Sequence, residues 1–212
     1  MLTPILLLAA VLGQGDVPPV PGLCSAPVPA DRETPGCYQT SQIDLGDVRS
    51  ELYWQIYQFP TQAVATAEAA RHRWSTVARA HSRFWLYVLG GVSEPIRGGF
   101  KRATIGPLYP PAGPVTAHFS EAIFPHGMQT RVHSHPGPEA FYVVEGEQCM
   151  ETPTDKRRIT AGGTYVVERG PHIQAAPTGR RNLVLILSPK GQPAVIPGGD
   201  WRPTGFCKPS TP

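Results

Sequence analysis

The chain reads as a mainly β domain, a sandwich or barrel of short strands, preceded by a small strand–helix–strand unit. Three observations predict this. Runs rich in β-branched and aromatic residues recur at turn-separated intervals in the C-terminal half, around His133 and at residues 141–145, 147–151, 163–167, 173–175 and 183–187. The 25 prolines and 22 glycines stay below the share that suggests disorder and read instead as turns between those runs. Helical periodicity is confined to one stretch, residues 62–80.

The 212 residues give room for one full domain and a small second unit. Charged residues are sparse, the net charge is +3 and no Lys/Arg run stands out, which argues against a nucleic-acid partner. In order along the chain, residues 1–15 carry an apolar run from Pro4 to Leu12. It is too short for a transmembrane segment, which needs about 20 residues. It suits a secretory signal peptide cleaved after Gly15, although no Lys or Arg precedes it. Export to a periplasmic or extracellular space is therefore expected.

Residues 16–41 are dense in proline, lack periodicity and read as a wrapping arm. Four cysteines suit an oxidising compartment and allow three pairings. We take Cys24 with Cys37, closing the arm, and Cys149 with Cys207, tying the tail to a strand. None has the C-x-x-C spacing of redox or zinc-ribbon sites.

Residues 42–100 read as the strand–helix–strand unit. Leu52, Trp54 and Ile56 alternate with Tyr53, Gln55 and Tyr57, a strand pattern. Thr61 is a candidate helix N-cap. From Gln62 to Ala80, Val64, Ala67, Ala70, Trp74 and Val77 recur at helical steps. The run R-F-W-L-Y-V-L-G, residues 83–90, is apolar on both faces and reads as a buried strand. The unit is too small to bury a core alone and needs a partner surface, on the rest of the chain or on a second subunit. A homodimer would also cover exposed strand edges. Residues 189–212 form a Pro- and Gly-rich tail with Trp201 and Phe206 as anchors.

The chemistry concentrates between Gly127 and Gly146, in G-M-Q-T-R-V-H-S-H-P-G-P-E-A-F-Y-V-V-E-G. His133 and His135 are two residues apart in an extended context, so both imidazoles project to one side. Pro136-Gly137-Pro138 cannot continue a ladder and reads as a tight turn. Glu139 opens the next strand, and His172 lies at a later one. Three imidazoles and one carboxylate suit a divalent transition metal with coordination positions left open. Glu139 is either the fourth ligand or a base beside the metal. Strand parity from His133 would turn Gln129 and Arg131 inward as well. Arg131 would then meet an anionic group of a small-molecule ligand, or pair with Glu121, Glu139 or Glu168, unless a bulge turns it out. Phe141 and Val143 share the parity of Glu139, and Gln174 that of His172.

This stretch resembles the first signature motif of the cupin superfamily, in which Gly127, His133, His135, Glu139 and Gly146 hold every spacing. G-G-T-Y-V-V-E-R-G-P-H resembles the second motif through Gly162, Gly170 and His172. Glu168 or Arg169 stands where that motif has proline, and Ala176 where the family has a later asparagine. The resemblance covers residues 104–188. It implies a double-stranded β-helix, one of the jelly-roll barrels, with the metal (Mn, Fe, Ni, Zn or Cu) held by His133, His135, Glu139 and His172. It further implies an oxygenase, decarboxylase or isomerase type of enzyme in which Gln129 or Arg131 orients substrate. A non-catalytic module that binds metal or a small ligand is the alternative.

Overall fold

A computed structural model describes residues 17, 20, 21, 23–93 and 95–208. The expected signal peptide lies outside the described residues. The elements in chain order are β1 (Gly36–Asp47), β2 (Leu52–Phe59), α1 (Gln62–Ala69), β3 (Ser75–Ala80), β4 (Arg83–Gly90), β5 (Phe100–Leu108) and β6 (Pro114–Phe124). There follow β7 (His133–Ser134), β8 (Glu139–Glu151), β9 (Lys156–Thr160), β10 (Thr164–Val167), β11 (Ile173–Ala175), β12 (Arg180–Pro189) and β13 (Ile196–Pro197).

The long strand β8 organises the barrel, because it serves two sheets. Its first half pairs with β12 and β10, in the antiparallel order β1-β6-β12-β8-β10. Its second half, from Glu147, pairs with β9 and β11. Backbone bridges from β11 and its lead-in reach Gln129 and His133, and β7 pairs β13. The change of partner falls at Gly146, where φ is +74°. A Cβ there would stand 2.0 Å from the Gly179 carbonyl oxygen, so only glycine lets β8 bend this closely past β12.

Both sheets contribute to one interior. Ala122 and Phe124 of β6, Val184 and Ile186 of β12 and Phe141 of β8 pack with Met150 from the second half of β8 and with Ala176. The result is a jelly-roll barrel of antiparallel strands.

The other face of the first sheet is covered too. β3-β4-β2-β5 form a separate four-stranded sheet. Its Trp54, Trp85 and Tyr87 pack against Phe119 of β6 and Leu183, Leu185 and Leu187 of β12. This explains the run L-V-L-I-L, residues 183–187: β12 is buried on both faces, so its residues need not alternate with polar ones. Behind the second sheet, Val132, Cys149, Ile173 and Ala175 are capped by Trp201 and Cys207 of the tail. The pairs Cys24–Cys37 and Cys149–Cys207 are both disulfide-bonded.

Three local expectations are corrected. The helix from Gln62 stops at Ala69, after two turns, instead of reaching Ala80. Thr61 caps it as expected, its hydroxyl accepting from the Val64 amide at 3.3 Å. The Ser75 hydroxyl donates to the carbonyls of Ala69 and His72, closing a turn. Ser75, Thr76 and Val77 then enter β3, which pairs with β4 through a tight turn at His81 and Ser82, both at positive φ. Cross-strand pairing outweighs the helical spacing here, and Val64, the supposed start of the apolar stripe, is exposed. The last six residues of the Pro-rich arm are no loop: β1 begins at Gly36 and lies along β6. Phe100–Leu108, for which the sequence reading predicts no strand, is β5 and pairs with β2.

Candidate metal centre

Each ligand candidate is delivered by a different backbone device. His133 lies in β7 and His135 just beyond it. The Pro136–Pro138 turn then reverses the chain, with Leu187 NH donating to Pro138 O at 3.1 Å. A Cβ on Gly137 would fall 2.3 Å from the Leu187 carbonyl oxygen, so the turn is seated directly on β12. Glu139 is the first residue of β8. His172 is set opposite His133 by two backbone hydrogen bonds, of 2.9 and 3.2 Å.

The four side chains meet. One ligand atom from each of His133, His135, Glu139 and His172 lies within 4.8 Å of all the others. All four residues are buried. Glu139 Oε2 stands 3.0 Å from His135 Nε2 and 3.0 Å from His172 Nε2. Ligand atoms about 2.1 Å from one ion and at right angles to each other stand about 3 Å apart, so these separations suit adjacent coordination positions.

The proton positions point the same way. Each ring places Nδ1 against a backbone carbonyl: His133 on Arg131 at 2.9 Å, His135 on Ala194 at 2.6 Å and His172 on Gly170 at 3.2 Å. Carbonyls only accept, so each Nδ1 carries the hydrogen, and in the neutral ring Nε2 is left as a bare lone pair. His135 Nε2 is buried without hydrogen-bond geometry to any partner, although it is close to Glu139. Lone pairs of three imidazoles and a carboxylate thus face one another in a buried site, an arrangement that repels itself. One proton shared by His135 and Glu139 relieves one such contact; a divalent cation at the centre relieves them all.

The electrostatics follow from burial and from these neighbours. Burial first, then the charges of His172 and His135, push the His133 imidazole down to about 3. Burial would lower His135 as well, but the Glu139 carboxylate outweighs it and holds this ring above its usual value. Burial would raise Glu139, but His135 and His172 together hold it well below the usual carboxylate range. The acid is therefore ionised, and the donor set carries one negative charge, as a hard or borderline divalent ion requires.

Behind the ligands lies a polar chain. Gln174 donates from Nε2 to both Glu139 oxygens, at 3.2 and 3.3 Å. Arg180 donates to Gln174 Oε1 at 2.9 Å and lies over the Phe124 ring, 3.9 Å from its centroid. Burial pushes the Arg180 guanidinium down to about 9, and it stays charged at neutral pH. Gln174 points inward as strand parity predicts. The strand signal that begins at Leu183 misses Arg180; its even spacing from Asn182, Val184 and Ile186 is the signal that finds it.

Gln129 and Arg131 do not turn toward the ligands. The chain bends at Val132, which packs outward behind the second sheet, so the parity of His133 does not carry back past it. Thr130 points inward instead, its hydroxyl accepting from the Gln174 amide at 2.9 Å. Gln129 is half-buried in a bridge to Ala175. Arg131 is exposed, and its Nε donates to the Val17 carbonyl. It pairs with none of the expected acids: Glu121 takes Arg32, and Glu139 takes the imidazoles. Arg131 does border a cavity of about 260 Å³ that reaches His133 and Gln174.

Fold and site together define a jelly-roll β-barrel with a buried centre of three histidines and one glutamate, fit to hold a metal. Solved structures that resemble the chain, over about a third of its length, include proteins described as cupins. One is a cupin superfamily protein from Desulfitobacterium hafniense, with 16% identity and a TM-score of 0.33, over 34% of this chain and 67% of that one. Another is an RmlC-like cupin from Shewanella frigidimarina, with 24% identity and a TM-score of 0.31, over 37% and 78%. A third is an oxalate oxidase in complex with the substrate analogue glycolate, with 23% identity and a TM-score of 0.33, over 38% of this chain and 45% of that one. The chain thus spans less than half of the oxidase. No protein-family profile matches the chain, and no curated protein does.

Proposed function

We propose that the protein is an exported, metal-dependent enzyme of the cupin type, holding one divalent transition-metal ion through His133, His135, Glu139 and His172 and acting on a small anionic molecule. One observation carries this reading: three imidazole Nε2 atoms, each freed by an Nδ1 hydrogen bond to a carbonyl, converge on one buried carboxylate. Such a metal would supply Lewis acidity or redox chemistry at the coordination positions that four protein ligands leave open. The protein's own part is to fix the ring tautomers through the backbone carbonyls and to orient Glu139 through Gln174. Two disulfides support an oxidising compartment. Among the described residues, no helix is long and apolar enough to cross a membrane. Arg131, at the cavity edge, is suited to meet the anionic substrate as it enters.

A second reading is a binding module without catalysis. It is favoured by the cavity wall, where His133 is the one general acid or base among the described residues and Thr130, Gln174 and Arg131 are the other polar groups. Elemental analysis of the purified protein tests the shared part, with about one metal per chain expected and a loss of most of it in His133→Ala. Oxygen uptake by the metal-loaded protein with small carboxylic acids and diphenols then separates enzyme from binder.

A further inference from the structure

The cavity beside the ligands has a character that the metal centre alone does not dictate. Its wall is mostly apolar: Val20, Ala122, Phe124, Val132 and Val195, with the Cys24–Cys37 disulfide closing one side. His133 belongs both to this wall and to the ligand cluster, so the cavity and the metal centre are contiguous. At about 260 Å³ it falls just under the usual range of small-molecule sites, so its occupant is small.

Charge adds a second constraint. A divalent ion brings two positive charges and Glu139 removes one. Arg180, buried a residue further back, restores a second; among the described residues the carboxylate whose field it feels is Glu139, with the Gln174 amide between them. A loaded site thus keeps about two uncompensated positive charges in an interior of low dielectric, which an anion entering an open position would offset.

We propose that this cavity binds a monoanion with an apolar body, such as a medium-chain or aromatic carboxylate, its charged head at the metal beside His133 and its hydrocarbon part between Ala122, Phe124 and Val195. This rests on the metal-centre reading and narrows its substrate class from small anions in general to amphipathic ones.

The test is calorimetric titration of the full-length, metal-loaded protein, its metal content measured in the same sample, with acetate, butanoate, hexanoate, benzoate and uncharged hexanol. Affinity should rise by about fourfold per CH₂ from acetate to hexanoate, from the ordinary gain per buried methylene, and hexanol should bind at least tenfold more weakly than hexanoate. Ala122→Phe, which fills the cavity, should cut hexanoate affinity at least tenfold with the metal retained. A flat chain-length series in metal-loaded protein, or hexanol binding as tightly as hexanoate, overturns the proposal. A rising series in protein that proves to hold no metal supports the cavity assignment and sinks the metal reading instead. The series uses unaltered protein, so it decides the matter even if the filled variant does not fold.

Discussion

The Gln174 amide faces Glu139, donating to both carboxylate oxygens at 3.2 and 3.3 Å, and it cannot turn over because Arg180 occupies its oxygen. A carboxamide is ambiguous by itself; here a buried guanidinium removes the ambiguity. Gln174→Leu should therefore leave Glu139 free to rotate and Arg180 without its acceptor. We expect metal affinity to fall by about 10- to 100-fold, the usual consequence of losing a group that orients a metal ligand. Competition with a chelator of known affinity measures it, and an unchanged constant would show that the chain Arg180–Gln174–Glu139 plays no part in holding the ion.

Metal binding should stabilise the fold, since all four ligands are buried and His172 meets the other three only in the native state. At a free metal concentration about 100 times Kd, the gain is about 2.7 kcal/mol. Thermal melts before and after exhaustive chelation read this directly. His172→Ala should abolish the difference, because it removes the one ligand supplied by the strand facing β7.

Gly137 sets the distance between His135 and Glu139. Gly137→Ala would press a methyl group onto the Leu187 carbonyl, 2.3 Å from where it must sit. The Pro136–Pro138 turn has to lift off β12, and Glu139 moves with it. The expected result is a folded protein, with unchanged far-ultraviolet circular dichroism, that binds metal at least tenfold more weakly.

Cys149–Cys207 joins residues 58 apart in sequence and pins the tail over the second sheet. The chain-entropy model puts the stabilisation from a loop of that length at about 4 kcal/mol. Cys149→Ala with Cys207→Ala should lower the denaturation midpoint accordingly. Loss of the Cys24–Cys37 link, with a separation of 13, should cost less, about 3 kcal/mol.

His81 makes stability depend on pH. It sits in the tight turn between β3 and β4, and Nε2 donates to the Asn182 carbonyl at 2.9 Å. Burial, more than the nearby Arg181, Arg83 and Arg32, pushes its pKa down to about 4, against 6.5 for the free side chain. The unfolded chain thus takes up a proton that the folded chain refuses, and stability falls as pH drops from about 6.5 toward 4, by about 3 kcal/mol over that window. Glu121, raised by burial above its ordinary 4.5, works in the opposite direction as pH falls toward that value, because the folded state takes up its proton first. Urea melts of metal-free protein at pH 7 and pH 4.5 should show the loss, and His81→Gln should reduce it, leaving the share that belongs to the other buried histidines.

The residues themselves made much of this legible. Period-two alternation marks β2, and the spacing of His133, His135, Glu139 and Gly146 marks the ligand strand, its turn and the bend that follows. These are local facts: a turn between two strands brings its flanking side chains together whatever the rest of the molecule does. Readings of longer reach were mixed: the pairing of Cys149 with Cys207 and the joining of His172 to the cluster held, while others failed. The helical spacing through Val77 lost to pairing with β4, and β1 lay hidden in a proline-rich stretch because its stability comes from β6, some eighty residues away. Arg131 was turned outward by a single bend at Val132 that no periodicity announces.

The sequence by itself thus marked His133, His135 and Glu139 as one local cluster and the chain as rich in strands, because both rest on neighbours a few residues apart. Only the tertiary structure decided that His172 arrives opposite His133, that Arg180 and Gln174 stand behind Glu139, and that an apolar cavity opens beside them. Those relations depend on where β11 and β12 cross β7 and β8. That crossing is fixed by the packing of two sheets against a common core, a property of the whole chain and of no segment within it.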